Sequence, residues 1–213
     1  MIKGRLAMLS SGWMRFAIVL MVLTATSCNA IKEIGQSITN LSRCSFKLDG
    51  ISDFRLAGIS LQGKTSLNFG DATTAVASFS QGELPASFLL NVAVQNPNTG
   101  TGGTSKSTVT LTSLSWRLLI DDVQTIEGNI PQSIVIPGTG QQTSIPIPMR
   151  LDLLKFYRDK GYDKIVNLAF ALGGAQGSAS RVTLRARPSL KTDFGTLTYP
   201  GEIDIVDKEF RGQ

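Results

Sequence analysis

Histidine is absent from all 213 residues of the chain. That absence removes Ser-His-Asp and Cys-His nucleophile systems, and with them most zinc and non-haem iron sites. Cysteine is nearly as scarce, with only Cys28 and Cys44. A chain processed at Cys28 keeps one thiol and forms no internal disulfide, whereas an unprocessed chain leaves a Cys28–Cys44 bridge open. Long apolar runs are missing too. The best is "FAIVLMVLTAT", Phe16 to Thr26, while a membrane-spanning helix needs roughly 20 apolar residues. There is also little excess charge beyond the first residues. The formal net charge is +5, but Lys3, Arg5 and Arg15 precede Ser27 with no acidic residue among them, which leaves 5 − 3 = +2 for the remainder. A nucleic-acid partner is therefore not expected.

What is present begins with an address. A short apolar run behind Arg15, closed by "SCNA", has the shape of a signal peptide. Cys28, directly after the small residues Ala25, Thr26 and Ser27, resembles the bacterial lipoprotein box, in which the thiol receives a diacylglycerol and becomes the first mature residue. The box favours Leu where Ala25 stands, and Leu23 comes two residues too early. Lipidation at Cys28 is the favoured reading, with ordinary cleavage near Ser27 or Ala30 and a retained anchor as alternatives. Met14 is a second candidate start. The expected division is a signal peptide over 1–27, a lipidated N-terminus and spacer over 28–43, and one domain over 44–213. The expected place is the bacterial cell envelope, lipid-anchored and facing the periplasm.

In the spacer, Ile31, Ile34, Ile38 and Leu41 recur at helical spacing, which predicts a short amphipathic helix docked on the domain, with the membrane surface as its alternative seat. Beyond Cys44 the pattern is mostly β. "CSFKLDGI" and "DFRLAGISLQG" both alternate and predict two strands joined by a turn over Gly50 to Asp53. Asp71 is a candidate cap for a short helix with Ala75, Val76 and Phe79 on one face. Strands follow at Phe88–Gln95, Thr108–Asp121, Val123–Ile130 and Gln141–Arg150. In the second of these, Leu114, Trp116, Leu118 and Ile120 form the buried face. "TSIPIPMR" predicts an edge strand, because Pro146 and Pro148 lack N–H groups on the same side. A helical region then breaks at Gly161 and stops at Gly173, and "SRVTLRARPSL" and "GEIDIVD" add strands. Many short strands with one principal helical region and a short helical insertion predict a mainly β, immunoglobulin/fibronectin-like antiparallel sandwich.

Three blocks carry a family resemblance: "LNVAVQNPN", "SLSWRLLIDDVQTIEGNI" and "IPGTGQQTSIPIPMRLDLL". In order and spacing they resemble the type 2 late embryogenesis abundant family, also called the water stress and hypersensitive response domain. The resemblance spans roughly Ser87 to Leu154. It implies a β-sandwich with a helix, a binding or stress-protective role, and no catalytic residues or cofactor.

Chemical candidates are few. Gly58 to Thr65, "GISLQGKT", satisfies a phosphate-loop pattern, and "LLIDD" imitates a magnesium-binding strand. A phosphate loop needs a strand before it and a helix directly after it, whereas here the alternation runs on into "SLNFGD", so no nucleotide is expected. Asp121 and Asp122 should point to opposite strand faces, while Glu202 and Asp204 should share a solvated one. No metal site, cofactor or catalytic residue is expected, and Cys44 reads as a small buried or half-buried thiol. The remaining candidate is Asn96-Pro97-Asn98. Pro97 ends the strand and the flanking Asn side chains can bond to nearby backbone. This predicts a structural turn, with Asn96→Ala costing about 0.5–2 kcal/mol. An envelope protein or lipid as assembly partner is the alternative role, and an envelope enzyme with an unrecognised site is a weaker one.

Overall fold

The structure, a computed structural model, describes residues 31–102, 106–174, 179–193, 195–206 and 210–211. The expected signal peptide over 1–27 and the expected lipidation site Cys28 lie outside them. The chain is an antiparallel β-sandwich. Its first sheet has the order β2-β1-β3-β7, built from β1 (Ser45–Leu56), β2 (Ile59–Ser60), β3 (Pro85–Gln95) and β7 (Gln142–Asp152). The second runs β10-β9-β4-β5, with β4 (Val109–Ile120), β5 (Val123–Gly128), β9 (Val182–Thr192) and β10 (Gly195–Thr198); β6 (Ile134–Ile136) pairs with β4, and β11 (Ile203–Val206) with β9. A small ribbon joins β8 (Ala179–Ser180) to β12 (Phe210–Arg211).

Inward positions of both sheets are filled by branched aliphatic and aromatic side chains. Leu114, Trp116, Leu118 and Ile120 on β4 face Leu90, Val92, Ile145, Ile147 and Met149 from the other sheet, all buried. Each fully buried Leu or Ile contributes roughly 1.5–3 kcal/mol of transfer free energy, so this inner layer is the principal source of stability. β7 is the sheet edge, with Ile145, Ile147 and Met149 inside and Pro146 and Pro148 exposed. The prolines leave that edge short of donors, which blunts it against pairing with another chain.

The helices gather at the two ends. α1 (31–42) crosses one end, where Leu41 is buried and Ile34 and Ile38 are half-buried. At the other end lie α2 (Phe69–Ser80), α3 (Leu153–Tyr157), a 3₁₀ turn (Arg158–Lys160) and α4 (Tyr162–Leu172). Gly161, at φ 75°, makes the break that separates the last two helical pieces. Ile165, Leu168 and Leu172 of α4 are buried, and its chain stops at Gly173. Tyr157 Oη donates to the Ile120 carbonyl at 2.7 Å, tying α3 to the end of β4.

Several local expectations are corrected. The stretch over Gly50–Asp53 is not a turn: β1 is continuous and meets β3 with register shifts between Leu48 and Gly50 and between Ser52 and Arg55. Gly50 at φ 139° and Asp53 at φ 54° absorb the extra residues as bulges. The reversal comes later, at Ala57 and Gly58, both with positive φ. The cap of α2 is Asn68, whose side chain accepts from Asp71 N at 2.8 Å, while Asp71 sits in the first turn. Val76 leaves the expected inner face and is half exposed, whereas Ala75 is buried. Asp121 and Asp122 do not alternate along a strand. They form the two-residue hairpin turn between β4 and β5 at φ 48° and 64°, the left-handed pair that matches strand twist. β6 and β10 are additional short strands.

Candidate functional site

The Asn-Pro-Asn stretch leaves β3 at the α1 end of the sandwich and turns inward. Asn96 and Asn98 are both completely buried, with the Pro97 ring outside. Asn96 Nδ2 donates to the carbonyls of Ser107 at 2.9 Å and Ile136 at 3.1 Å. Its Oδ1 accepts from Asn98 N at 3.1 Å and from Asn98 Nδ2 at 2.7 Å, and its own carbonyl accepts from Gly140 N at 3.0 Å. Asn98 Nδ2 also reaches the Asn40 carbonyl at 3.0 Å, while Asn40 Nδ2 donates to Ser107 Oγ at 3.0 Å. One node therefore joins the ends of β3 and β6, the loops beside them, the entry to β4 and helix α1. Its hydrogen bonds run to protein backbone and among its own side chains. The sole orphan is Asn98 Oδ1, buried with no donor among the described residues.

Three contributors to this node carry no recognisable sequence signal. Asn40 and Ser107 are ordinary polar residues in their own segments, and only the tertiary fold brings them to Asn98. Gly138 is the third. A Cβ on it would stand 2.4 Å from both the Asn98 and Ser107 carbonyl oxygens, so only glycine lets the strand carrying β6 pass this close.

A second polar cluster lies on the outer face of the β4–β9 sheet. Register places Arg117 opposite Arg185 and, across β5, opposite Glu127; Ser115 stands opposite Arg187. Arg117 pairs with Glu202 through Nη2, and Arg185 Nε lies 3.1 Å from Asp204 Oδ1. The latter contact is an ion pair without hydrogen-bond alignment, since the same Nε has no hydrogen-bond partner. Together these side chains border a shallow cleft of about 250 Å³. Directly opposed like charges are unfavourable on a sheet, and the two carboxylates offset them. Glu202 and Asp204 are thus consumed by arginines. The alternation in "TLRARP" places Arg185 and Arg187 on one face, but their position beside Arg117 follows from a strand pairing that the sequence does not state.

Cys44 lies in a small crevice beneath α1, bordered by Leu41, Phe46, Pro188, Tyr199 and Ile203. Burial pushes its thiol up to about 11 from a usual 9.0, and Sγ lies 3.4 Å from the Asn40 carbonyl, to which a protonated thiol donates. Burial, and secondarily the charge of Asp121, also raises Tyr157.

The phosphate-loop match is built as ordinary hairpin and turn. Its backbone donors are already engaged: Leu61 N with Phe54 O, Gly63 N with Gly173 O and Lys64 N with Leu61 O, at 3.0, 3.3 and 3.0 Å. Lys64 Nζ is 2.9 Å from Asp71 Oδ2, and α2 begins only at Phe69. Phosphate binding needs those donors free and converging. Among the described residues no three His, Cys, Asp or Glu side chains group as metal ligands.

Comparisons with known proteins add little beyond this geometry. No protein-family model matches the chain, and no curated protein matches it either. Two solved structures are similar over part of its length. A crystal structure of a protein from Archaeoglobus fulgidus has a TM-score of 0.31 and 12% identity, covering 58% of this chain and 86% of the other. A solution structure of a protein from Arabidopsis thaliana has a TM-score of 0.32 and 18% identity, covering 57% of this chain and 70% of the other. Scores this low carry no argument about family or function.

Three outcomes are expected. Asn96→Ala strips donors from one buried and one part-buried carbonyl and should cost about 2–4 kcal/mol in denaturant unfolding, more than an exposed turn would; a loss below about 0.5 kcal/mol contradicts the node. Lys64→Ala should cost no more than about 1 kcal/mol, as a half-exposed ion pair does, and neither form should bind ATP saturably in calorimetry. The third concerns pH. The Cys44 thiol is raised in the folded state, so its contribution is fully present below its ordinary pKa of 9.0 and is lost as pH rises towards about 11. Stability measured across that window should decline less steeply in Cys44→Ala, and equal slopes would refute the assignment.

Proposed function

We propose that this chain is a bacterial envelope lipoprotein, held to a membrane by a diacylglycerol on Cys28 and facing the periplasm. Its domain is of the late embryogenesis abundant type 2 kind and acts in binding or stress protection without catalysis. The observation that carries the reading is "FAIVLMVLTATSCNA": an apolar run too short to span, behind Arg15 and ahead of a cysteine preceded by small residues. The non-catalytic part is supported by how the polar candidates are used. Asn96 and Asn98 are enclosed and bonded to backbone, Glu202 and Asp204 neutralise arginines, and the chain has no histidine to act as a base. Among the described residues no helix is long and apolar enough to cross a membrane.

One feature favours the assembly reading as a second possibility for the domain's work. Phe69 is 90% exposed and Val76 51% exposed on α2, a helix whose only charged residue is Asp71. Large apolar side chains on an uncharged helix face fit a protein contact better than a solvated surface. Stoichiometric copurification of an envelope protein, lost in Phe69→Ser, supports that reading.

The anchor has a direct test. Intact mass of the protein from a membrane fraction should show a chain beginning at Cys28 and carrying acyl groups, and Cys28→Ser should leave the membrane fraction. A mature N-terminus at Asn29 or beyond, or unchanged attachment of the serine variant, refutes it.

A further inference from the structure

Ile31, the first described residue, follows Cys28 by three positions. Whatever the conformation between them, three residues reach at most about 11 Å. An anchor on Cys28 therefore lies within about 11 Å of Ile31.

α1 is not a free spacer. Asn98 Nδ2 donates to the Asn40 carbonyl and Asn40 Nδ2 to Ser107 Oγ, both at 3.0 Å. Near its start, Glu33 Oε1 accepts from Asp193 N at 3.2 Å, and near its finish Leu41 is 3% exposed. The helix is fastened at both ends to the sandwich. All its attachments are at one end of the sandwich, where register brings together Ser45, Gln95 and Gln142 in one sheet and Val109, Ile136 and the exit of β9 in the other. A lipid held this close cannot sit beside the opposite end.

The surface of this end suits a bilayer. Ile31 is 71% exposed beside the start of α1. Lys32, Arg43, Lys106 and Lys191 are exposed, and none has an ion-pair partner among the described residues. The carboxylates there are Glu33 and Asp193, and Glu33 is already bonded to the Asp193 amide. An exposed apolar residue on the same end of the sandwich as several unpaired cations is complementary to an anionic headgroup layer, each Lys or Arg near such a surface adding to the attraction.

We propose that the Asn98 end of the sandwich is a membrane-docking surface, seated on the anionic headgroups of the leaflet that holds the lipid on Cys28. The proposal rests on the reading that Cys28 is acylated. It places the domain upright, because strands such as β1, with 12 residues, rise about 3.3 Å per residue. The helical end with α2 and α4 then stands about 40 Å from the surface and is the end offered to anything in the periplasm.

The test uses the full-length acylated protein in vesicles of phosphatidylethanolamine and phosphatidylglycerol containing a nickel-chelating lipid as surface quencher. In a Cys44→Ser background, a fluorophore is placed at Lys106→Cys or at Ala77→Cys, one at each end. Intact mass of the same sample reports acylation, so a missing lipid counts against the anchor alone. In acylated protein, severalfold stronger quenching at position 106 than at 77 is expected. Equal quenching at both positions, or stronger quenching at 77, overturns the docking surface while leaving the anchor intact. A second variant separates charge from mere proximity. With Lys32, Lys106 and Lys191 changed to Gln and the label at Thr99→Cys, quenching at 99 should fall severalfold relative to the parent carrying the same label; an unchanged signal refutes the headgroup contact.

Discussion

The backbone groups at the α1 end of the sandwich must find partners where the two sheets stop pairing. Strands β3, β4 and β6 end or begin there, and the carbonyl of Ile136 is bonded in a buried setting and that of Ser107 in a part-buried one. A buried unpaired carbonyl costs about 1–3 kcal/mol, so the end could not close without internal donors. Asn96 supplies two from one amide, to Ser107 O and Ile136 O. Asn98 passes the network on to α1 through Asn40. The remainder of that end builds on this exchange: Gly138 must lack a side chain so that β6 can approach, and Asn98 fixes the seat of α1 together with the Asn40–Ser107 and Asp193–Glu33 hydrogen bonds. The opposite end closes with side chains of its own: Tyr157 Oη donates to the Ile120 carbonyl, and Asp152 Oδ1 accepts from Leu84 N and Leu154 N.

Much of the architecture was legible in the sequence because burial imposes a period. Leu114, Trp116, Leu118 and Ile120 alternate along β4, and all four are buried. Pro146 and Pro148 mark an edge because a missing N–H has only one place to go, and β7 is that edge. Gly161 and Gly173 punctuate the helical region for equally local reasons. The misses occur where local chemistry permits two outcomes. Gly50 and Asp53 suit a turn as well as a pair of bulges, and only the long partner β3 decides for bulges. Asp121 and Asp122 suit a strand or a left-handed turn, and the pairing of Ile120 with Val123 leaves only the turn.

The candidate site was legible in part. Pro97 and its flanking asparagines announce a strand end, but the sequence around them is polar and small, which suits an exposed connection as well as a buried one. Burial of both side chains is set by α1 and by the loop carrying Gly138, which lie 58 and about 40 residues away along the chain. The arginine cluster is hidden for the same reason: Arg117 and Arg185 become neighbours only through the pairing of β4 with β9. Function lies a step further off. A leader gives an address by its composition, whereas a fold of this kind serves many tasks and names none of them.

The central claim is that one buried amide network closes the end of the sandwich and seats helix α1. Amide hydrogen exchange on Asn98→Ala, compared with the parent under native conditions, tests it most directly. If the network does this work, protection falls together in α1, in the residues around Ser107 and in the stretch from Ile136 to Gly140, while α4 and the centre of β4 keep theirs. Protection that falls evenly over the whole domain, or that stays unchanged in α1, would contradict it.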